Sequence, residues 1–449
     1  MDRKTFIRNG TIATAGTILG APSILRAGQK LDKTVRIGFV GTGLRGRNHV
    51  NNILDLDGVE CPAFCDIDPE AVKLTNGIFK EKGKEAPKVY SAHERSFEEM
   101  LENEDLDGVI VATNWKWHSP ICLKAMEEGV YVGTEVSGAF SVDECWDLVN
   151  THQETGTHLM FLENVCYRRD VMAVLNMVRD DVFGELLHFR GGYLHDLRAI
   201  KFNDGDGGLA YGEESYGEAR WRTNHSKHRN ADLYPTHGLG PIGVMADMNR
   251  GNRLTSISSF ATKSRSLKNY IDKHPDGGED HPYSKINWEL GDIVTSTITT
   301  ARGETIILTH DTNTPRPYSL GFRVQGVDGL TDFDYYSRRV YVEGTSDPHR
   351  WDKAQEWFDK YDHHLWEKYG EIARGGGHGG MDYFLDRAFV ESVRQELPPV
   401  LDVYDGAVLR AITPLSEVSI QNGGAPQAIP DFTEGKWISR KPVFGLGNL

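Results

Sequence analysis

The stretch that decides the fold is "VRIGFVGTGLRGRNHVNNIL", residues 35–54. A short apolar run meets Gly41, Gly43 and Gly46, and a helical pattern follows. A lone GxGxxG carries little weight. This one follows a strand, opens a helix, and has Asp66 at the end of the next strand, 20 positions beyond Gly46. That context predicts a dinucleotide site. The glycines permit a tight turn and close approach to a pyrophosphate, and the helix N-terminus offers free N–H groups and a favourable dipole. Asp66 is placed to accept hydrogen bonds from the adenosine ribose, which favours NAD over NADP. Leu44 and Arg45 would lie against the phosphates.

Strand-like and helical runs alternate from Val35 to about Leu162. "VECPAFCDID" reads as a strand, "PEAVKLTNGIFKEKG" as a helix opened by Pro69, and "DGVIVATN" as a buried strand. "SVDECWDLVNTHQETG" reads as a helix whose Ser141 and Glu144 make a capping box. The rhythm predicts a doubly wound parallel sheet. Ligands of such sheets bind beyond the strands' carboxyl ends. That rule nominates Trp115, Lys116, Trp117 and His118, then Glu135 and Val136, and finally Asn164. Trp115 and Trp117 either wall off a nicotinamide or serve packing.

After Asn164 the pattern changes. The helix "RDVMAVLNMVRDD" carries an apolar stripe at Val171, Val174, Leu175 and Val178. Strand-like runs follow, among them "DIVTSTITTARGETIILTHDT", with "ARGE" as a hairpin turn. They predict an α+β domain with a large, mostly antiparallel open sheet. The irregular segment 199–235 is rich in Gly, Asn, Arg and His, and long loops of that kind usually serve function.

The division expected along the 449 residues is 1–30, 31–163 and 164–449. The first segment, with "DRKTFIR" near its start, reads as a twin-arginine-like export signal. The alternative is an N-terminal arm and a cytoplasmic protein. The second segment is the NAD-binding Rossmann domain. The third is the substrate and oligomerisation domain, whose C-terminal segment packs back on the second. A net charge of −15 argues against nucleic acid or an anionic membrane as partner. No run is long and apolar enough for a membrane span. "HSKH" and "DHH" hold metal-ligand types without a cluster, so no metal is expected. "GGGHGG" near His378 reads as a packing loop or a site rim, with catalysis the lesser alternative.

The Rossmann half followed by an antiparallel sheet resembles the Gfo/Idh/MocA oxidoreductase superfamily. Many of its members carry Glu-Lys-Pro where this chain has Glu135-Val136-Ser137, and that lysine assists hydride transfer to a sugar. Its absence argues against a plain sugar dehydrogenase. A narrower resemblance runs through "EVSGA", "LENVCYRRDVMA", "GGYLHDLR", "WRTNH", "LYPTHGLGP", "LTHDT" and "GGGHGGMDYF". These blocks are similar to glycoside hydrolase family 109, the NAD-dependent α-N-acetylgalactosaminidases. The resemblance implies NAD contacts at Leu44, Arg45, Asp66, Trp115 through His118, Glu135 and Asn164. It implies sugar contacts at Tyr193, Arg222, Tyr234, Pro235, Thr236, His237 and Tyr318, and a glycan with terminal α-N-acetylgalactosamine as substrate. A homodimer is implied by the superfamily alone.

NAD-dependent glycosidases are exceptions to the two-carboxylate rule. The expected cycle oxidises C3 of the sugar, removes the acidified C2 proton, expels the C1 group, adds water and reverses the first steps. NAD stays tightly bound and is regenerated. His237 is the expected proton shuttle, its ordinary pKa of about 6.5 suiting both directions. Tyr193 and Tyr234 are the further catalytic candidates, and Arg222 would hold the N-acetyl carbonyl or a developing oxyanion. The competing readings are a net sugar or cyclitol oxidoreductase and a non-catalytic, NAD-loaded sugar binder.

Overall fold

The computed structural model describes residues 33–334 and 337–447. The export signal expected over residues 1–30 lies outside them. Seven strands form the first sheet: β1 (Val35–Val40), β2 (Val59–Glu60), β3 (Ala63–Cys65), β4 (Lys88–Tyr90), β5 (Gly108–Val111), β6 (Tyr131–Thr134) and β7 (Leu159–Phe161). They pair in parallel in the order β4-β3-β1-β5-β6-β7, with β2 beside the start of β1. The run expected as one strand over 59–68 is broken before Ala63, where Pro62 has no N–H for the ladder. Strand order reverses between β1 and β5, so their carboxyl ends open a crevice, the ligand side of such sheets.

Helix starts follow the sequence signals closely. Asp68 caps the helix Pro69–Glu81 by accepting from Glu70 N–H. Ser141 caps Val142–Thr155 by accepting from Glu144 N–H, and Gly156 ends that helix at φ 75°. The expected capping box is only half present, because the Glu144 carboxylate accepts from Phe140 N–H instead, at 3.1 Å. The helix after β5 starts at Trp115, with Asn114 as its N-cap residue. The segment 199–235 is less irregular than its composition suggests, holding the helix Arg222–His228 and a 3-10 turn at Gly217–Arg220.

The second sheet has nine strands: β8 (Leu186–Leu194), β9 (Leu254–Ala261), β10 (Val294–Thr300), β11 (Thr305–Asp311), β12 (Phe322–Gly326), β13 (Gly329–Phe333), β14 (Arg338–Val342), β15 (Asp352–Lys353) and β16 (Gln427–Ala428). They run β15-β14-β13-β12-β8-β11-β10-β9-β16, antiparallel apart from the parallel pair β8 and β11. The hairpin between β10 and β11 turns through "ARGE". The helix Arg169–Arg179 buries Val171, Val174 and Leu175 as its spacing predicts.

The chain then returns to the first sheet. Phe389, on the helix Met381–Gln395, sits over Gly133 so closely that a Cβ there would come within 2.8 Å of its ring. No helix of the described residues is long and apolar enough to cross a membrane.

Candidate active site

The nucleotide turn is built as its glycines predict. Gly41 lies at φ 86°, and a Cβ on Gly46 would collide with the Gly41 carbonyl. A Cβ on Gly43 would meet nothing within 4 Å, so the backbone is bare where a ligand approaches. Asp66 is oriented by its own neighbours: Oδ2 accepts from Thr42 N–H at 2.6 Å, and Oδ1 from Asp68 N–H at 2.9 Å. Burial pushes its pKa up, partly offset by those hydrogen bonds. At the end of β5, the buried Asn114 Oδ1 has no hydrogen-bond partner. A bare helix start, a fixed carboxylate and an unpartnered carbonyl oxygen fit a dinucleotide.

Arg45, in the first turn of the helix Leu44–Ile53, carries the nucleotide side into the protein. Its Nε donates to Glu135 Oε1 and its Nη1 to Asp382 Oδ2, both at 2.7 Å. Glu135 Oε1 also lies 2.8 Å from His49 Nε2, whose Nδ1 is 2.5 Å from Asp386 Oδ1. Burial would raise the Glu135 pKa, but Arg45 and His49 outweigh it and hold the carboxyl well below its usual range. Val136 N–H donates to Glu135 Oε2 at 3.0 Å, and the Val136 side chain is buried, so no charged group stands at the usual lysine position.

The other half of the site grows from β8 and from the helix Thr236–Met245. Gly191 and Gly192 of β8 face Gly238 so closely that side chains at any of them would collide with backbone. This backbone-to-backbone approach sets the His237 ring 5.3 Å from that of Tyr193. His237 stands in the first turn of a helix. Its Nδ1 lies 2.8 Å from Oε1 and 3.0 Å from Oε2 of the fully buried Glu163. A carboxylate only accepts, so Nδ1 carries a proton and Nε2 is left for substrate. Glu163 fits there because Gly240 has no side chain; a Cβ would come within 2.6 Å of Glu163 Cγ.

Tyrosines surround that histidine. The Tyr234 ring lies tilted 4.6 Å from that of Tyr193 and edge-on 4.9 Å from that of His237. Tyr193 Oη lies 3.0 Å from His195 Nδ1. Burial pushes the pKa of Tyr193 and Tyr234 above the usual phenol value, so both stay protonated as donors. Burial also pushes Tyr318 up, to about 12, with Arg168 opposing. The Arg222 guanidinium lies over Trp115 at 4.9 Å and Tyr234 at 5.4 Å, and its Nε pairs with Glu218.

One cavity of about 1320 Å³ joins these groups. Leu44, Arg45, Glu135 and Asn164 line it on the nucleotide side, and Tyr193, Arg222, Tyr234, His237 and Tyr318 on the other. Other nominated residues stand behind it. Trp115 is buried beneath Arg222, Lys116 is exposed, and Trp117 packs edge-on against Phe97. His118 is buried, with Nε2 bonded to the Thr113 carbonyl, and burial, with Arg410, pushes its pKa down to about 4. Pro235 and Thr236 are buried and set the start of the helix that carries His237. Glu163, His195 and Asp382 were not foreseen. Glu163 directly precedes Asn164 at a strand's carboxyl end, so the strand-end rule could have found it; Asp382 has no local signal. No group of three or more His, Cys, Asp or Glu among the described residues could hold a metal ion.

The fold and this cavity define a Rossmann protein of the NAD-binding oxidoreductase class with a large cavity beside the nucleotide turn. Residues 35–162 match the oxidoreductase family with an NAD-binding Rossmann fold, and residues 167–439 match the C-terminal domain of glycosyl hydrolase 109. A glycosyl hydrolase family 109 protein of Parabacteroides distasonis is 51% identical over 97% of this chain and 94% of its own. An alpha-N-acetylgalactosaminidase of Tannerella forsythia is 52% identical over 93% of this chain and 90% of its own. The chain belongs to glycosyl hydrolase family 109. In fold it is similar to levoglucosan dehydrogenase in complex with NADH and levoglucosan, at TM-score 0.64 and 16% identity over 88% of this chain and 99% of that one. It is also similar to myo-inositol dehydrogenase from Lactobacillus casei, at TM-score 0.58 and 18% identity over 89% and 99%.

Proposed function

We propose that this chain hydrolyses terminal α-linked N-acetylgalactosamine from glycans, with retention of configuration, around an NAD that stays bound through each turnover. The observation that carries the reading is His237 held by Glu163 in the same cavity as the nucleotide turn, with valine at position 136. The 52% identical relative named alpha-N-acetylgalactosaminidase supports the choice of sugar.

The chemistry that NAD supplies when bound is reversible oxidation of the sugar's C3 carbinol, which acidifies the proton on C2. The protein's part is proton handling and orientation. His237 Nε2 takes the C2 proton, and Glu163 stabilises the imidazolium that forms. Tyr193 and Tyr234, kept protonated, donate to sugar oxygens, one of them to the departing C1 oxygen. Arg222 presents its fork to the N-acetyl carbonyl. Water adds at C1 on the face the aglycone left, giving one proton to the tyrosine that protonated the aglycone oxygen, and His237 returns its proton to C2.

The test uses protein purified without added cofactor and an aryl α-N-acetylgalactosaminide in D₂O. The expected result is aryl release with deuterium at C2 of the sugar. Stoichiometric NADH from free sugar, without release, would instead favour a net oxidoreductase, the activity named for the dehydrogenases of similar fold.

A further inference from the structure

The cavity does not end at the residues that face the expected sugar. At about 1320 Å³ it exceeds the roughly 300–1,000 Å³ that a single small ligand fills. Besides Tyr318 its wall includes Arg168, Asp170 and Arg338, and also Arg169, Asp362 and Glu367. The chemistry at His237 uses none of these six. Three places in the fold supply them: the start of the helix Arg169–Arg179, the first residue of β14, and the start of the helix His364–Ala373.

Two guanidinium forks stiffen this wall. Arg168, the neighbour of the Tyr318 phenol, donates to the buried Asp170 through Nε at 2.8 Å and Nη2 at 2.6 Å. Arg169 repeats the arrangement on Asp362, at 3.0 and 2.6 Å. Each fork is matched by a carboxylate, so both are fixed in place. Arg338 is different. Its Nη2 lies 3.0 Å from an Asp170 carboxylate that already holds the Arg168 fork. Its side chain is 40% exposed, and its Nε and Nη1 make no hydrogen bond or ion pair among the described residues. The exposed Glu367 carboxylate is likewise unpaired among them. A free cationic donor and a free acceptor therefore line one cavity with the sugar site.

We propose that this wall is a subsite for the aglycone, and that the aglycone it selects is a neutral saccharide. Charges of both signs are interspersed along it, which disfavours a strongly acidic or basic partner. Sugar hydroxyls each donate and accept, so neighbouring hydroxyls match a wall that sets planar donors beside carboxylates. Arg338 donates to one hydroxyl through its free edge, and Glu367 accepts from another. The two residues discriminate among aglycones, while His237 and Arg222 act on the terminal sugar common to all of them. This inference rests on the glycosidase reading and deepens it.

The test compares wild type, Arg338→Ala and Glu367→Ala on three substrates. They are the aryl α-N-acetylgalactosaminide, α-N-acetylgalactosaminyl-lactose, and a peptide carrying α-N-acetylgalactosamine on serine. Arg338→Ala should raise KM for the lactose conjugate about tenfold, the loss of one charge-assisted contact. KM for the aryl substrate, and kcat for both, should stay within about twofold, because the lost contact is made equally in ground and transition states. Glu367→Ala should move KM in the same direction, with the melting temperature of both variants unchanged. An unaltered KM for the lactose conjugate in Arg338→Ala overturns the proposal. So does an equal rise for the aryl substrate, the mark of a structural role, and so does a rise confined to the glycopeptide. Calorimetric binding of free lactose keeps the two readings apart. A wild type that binds lactose through Arg338 but releases no aryl group defeats the glycosidase reading alone. Lactose binding that Arg338→Ala leaves unchanged defeats this one.

Discussion

Glu163 grips the His237 imidazole with both carboxylate oxygens, at 2.8 and 3.0 Å, across 74 residues of sequence. The pair acts as one unit, since the proton on Nδ1 determines what Nε2 can do. His237→Ala should lower kcat for the aryl α-N-acetylgalactosaminide on the order of a hundredfold or more, with NAD still bound. Glu163→Gln, which no longer fixes the tautomer or stabilises an imidazolium, should approach the same loss. The double variant should be no slower than His237→Ala, because shared function is non-additive. Multiplied losses would mean the two residues work separately.

Gly240→Ala tests the space behind that pair. Its Cβ would come within 2.6 Å of Cγ of the fully buried Glu163. The expected cost is about 1–3 kcal/mol of stability by denaturant titration, with a fall in kcat and unchanged NAD content. Wild-type kcat would show that Glu163 tolerates displacement.

Arg222→Lys separates charge from shape. Lysine keeps the cation but lacks the planar fork and its stacking on Trp115 and Tyr234. KM should rise about tenfold, the loss of roughly one good hydrogen bond, with a smaller change in kcat. A changed kcat at constant KM would instead give Arg222 a role in the transition state alone.

His49 makes stability depend on pH. Burial works against its charged form, but Asp386 and Glu135 outweigh it and hold its pKa up to about 9, above the ordinary 6.5. A raised folded pKa means stability fully present below about 6.5 and lost as pH rises through about 9. The contribution is on the order of 3 kcal/mol. Urea midpoints should therefore fall across that window, and His49→Gln should flatten this part of the profile. A wild-type profile level through about pH 10 would contradict the assignment.

The nucleotide half was legible because its signals are local. Residues 35–54 hold the strand, the turn and the helix start together, and Asp66 follows at the spacing of the next strand. The sugar side was legible only as residue types and as a family resemblance. Which face Tyr193 shows to His237 depends on the close packing of β8 against a helix, and no periodicity in either segment announces it. Glu163 and Asp382 illustrate the limit. Each is an ordinary carboxylate in the sequence, and each acquires meaning from partners 74 and 337 residues away. Trp117 shows the reverse: it stands beside a strand end, as ligand-binding residues do, yet its ring packs against Phe97.

Phe389 also bears on how the protein comes into being. Its ring covers Gly133, and Leu401 accepts a hydrogen bond from Phe161 N–H at the outer edge of β7, at 2.9 Å. A nascent chain that has emerged only through β7 therefore bears a bare sheet face and an unpaired edge, both prone to sticking. Excising the first sheet as a stand-alone module would recreate that state permanently. Covering of the first sheet must then wait for residues 381–401, which makes its completion a late event in folding.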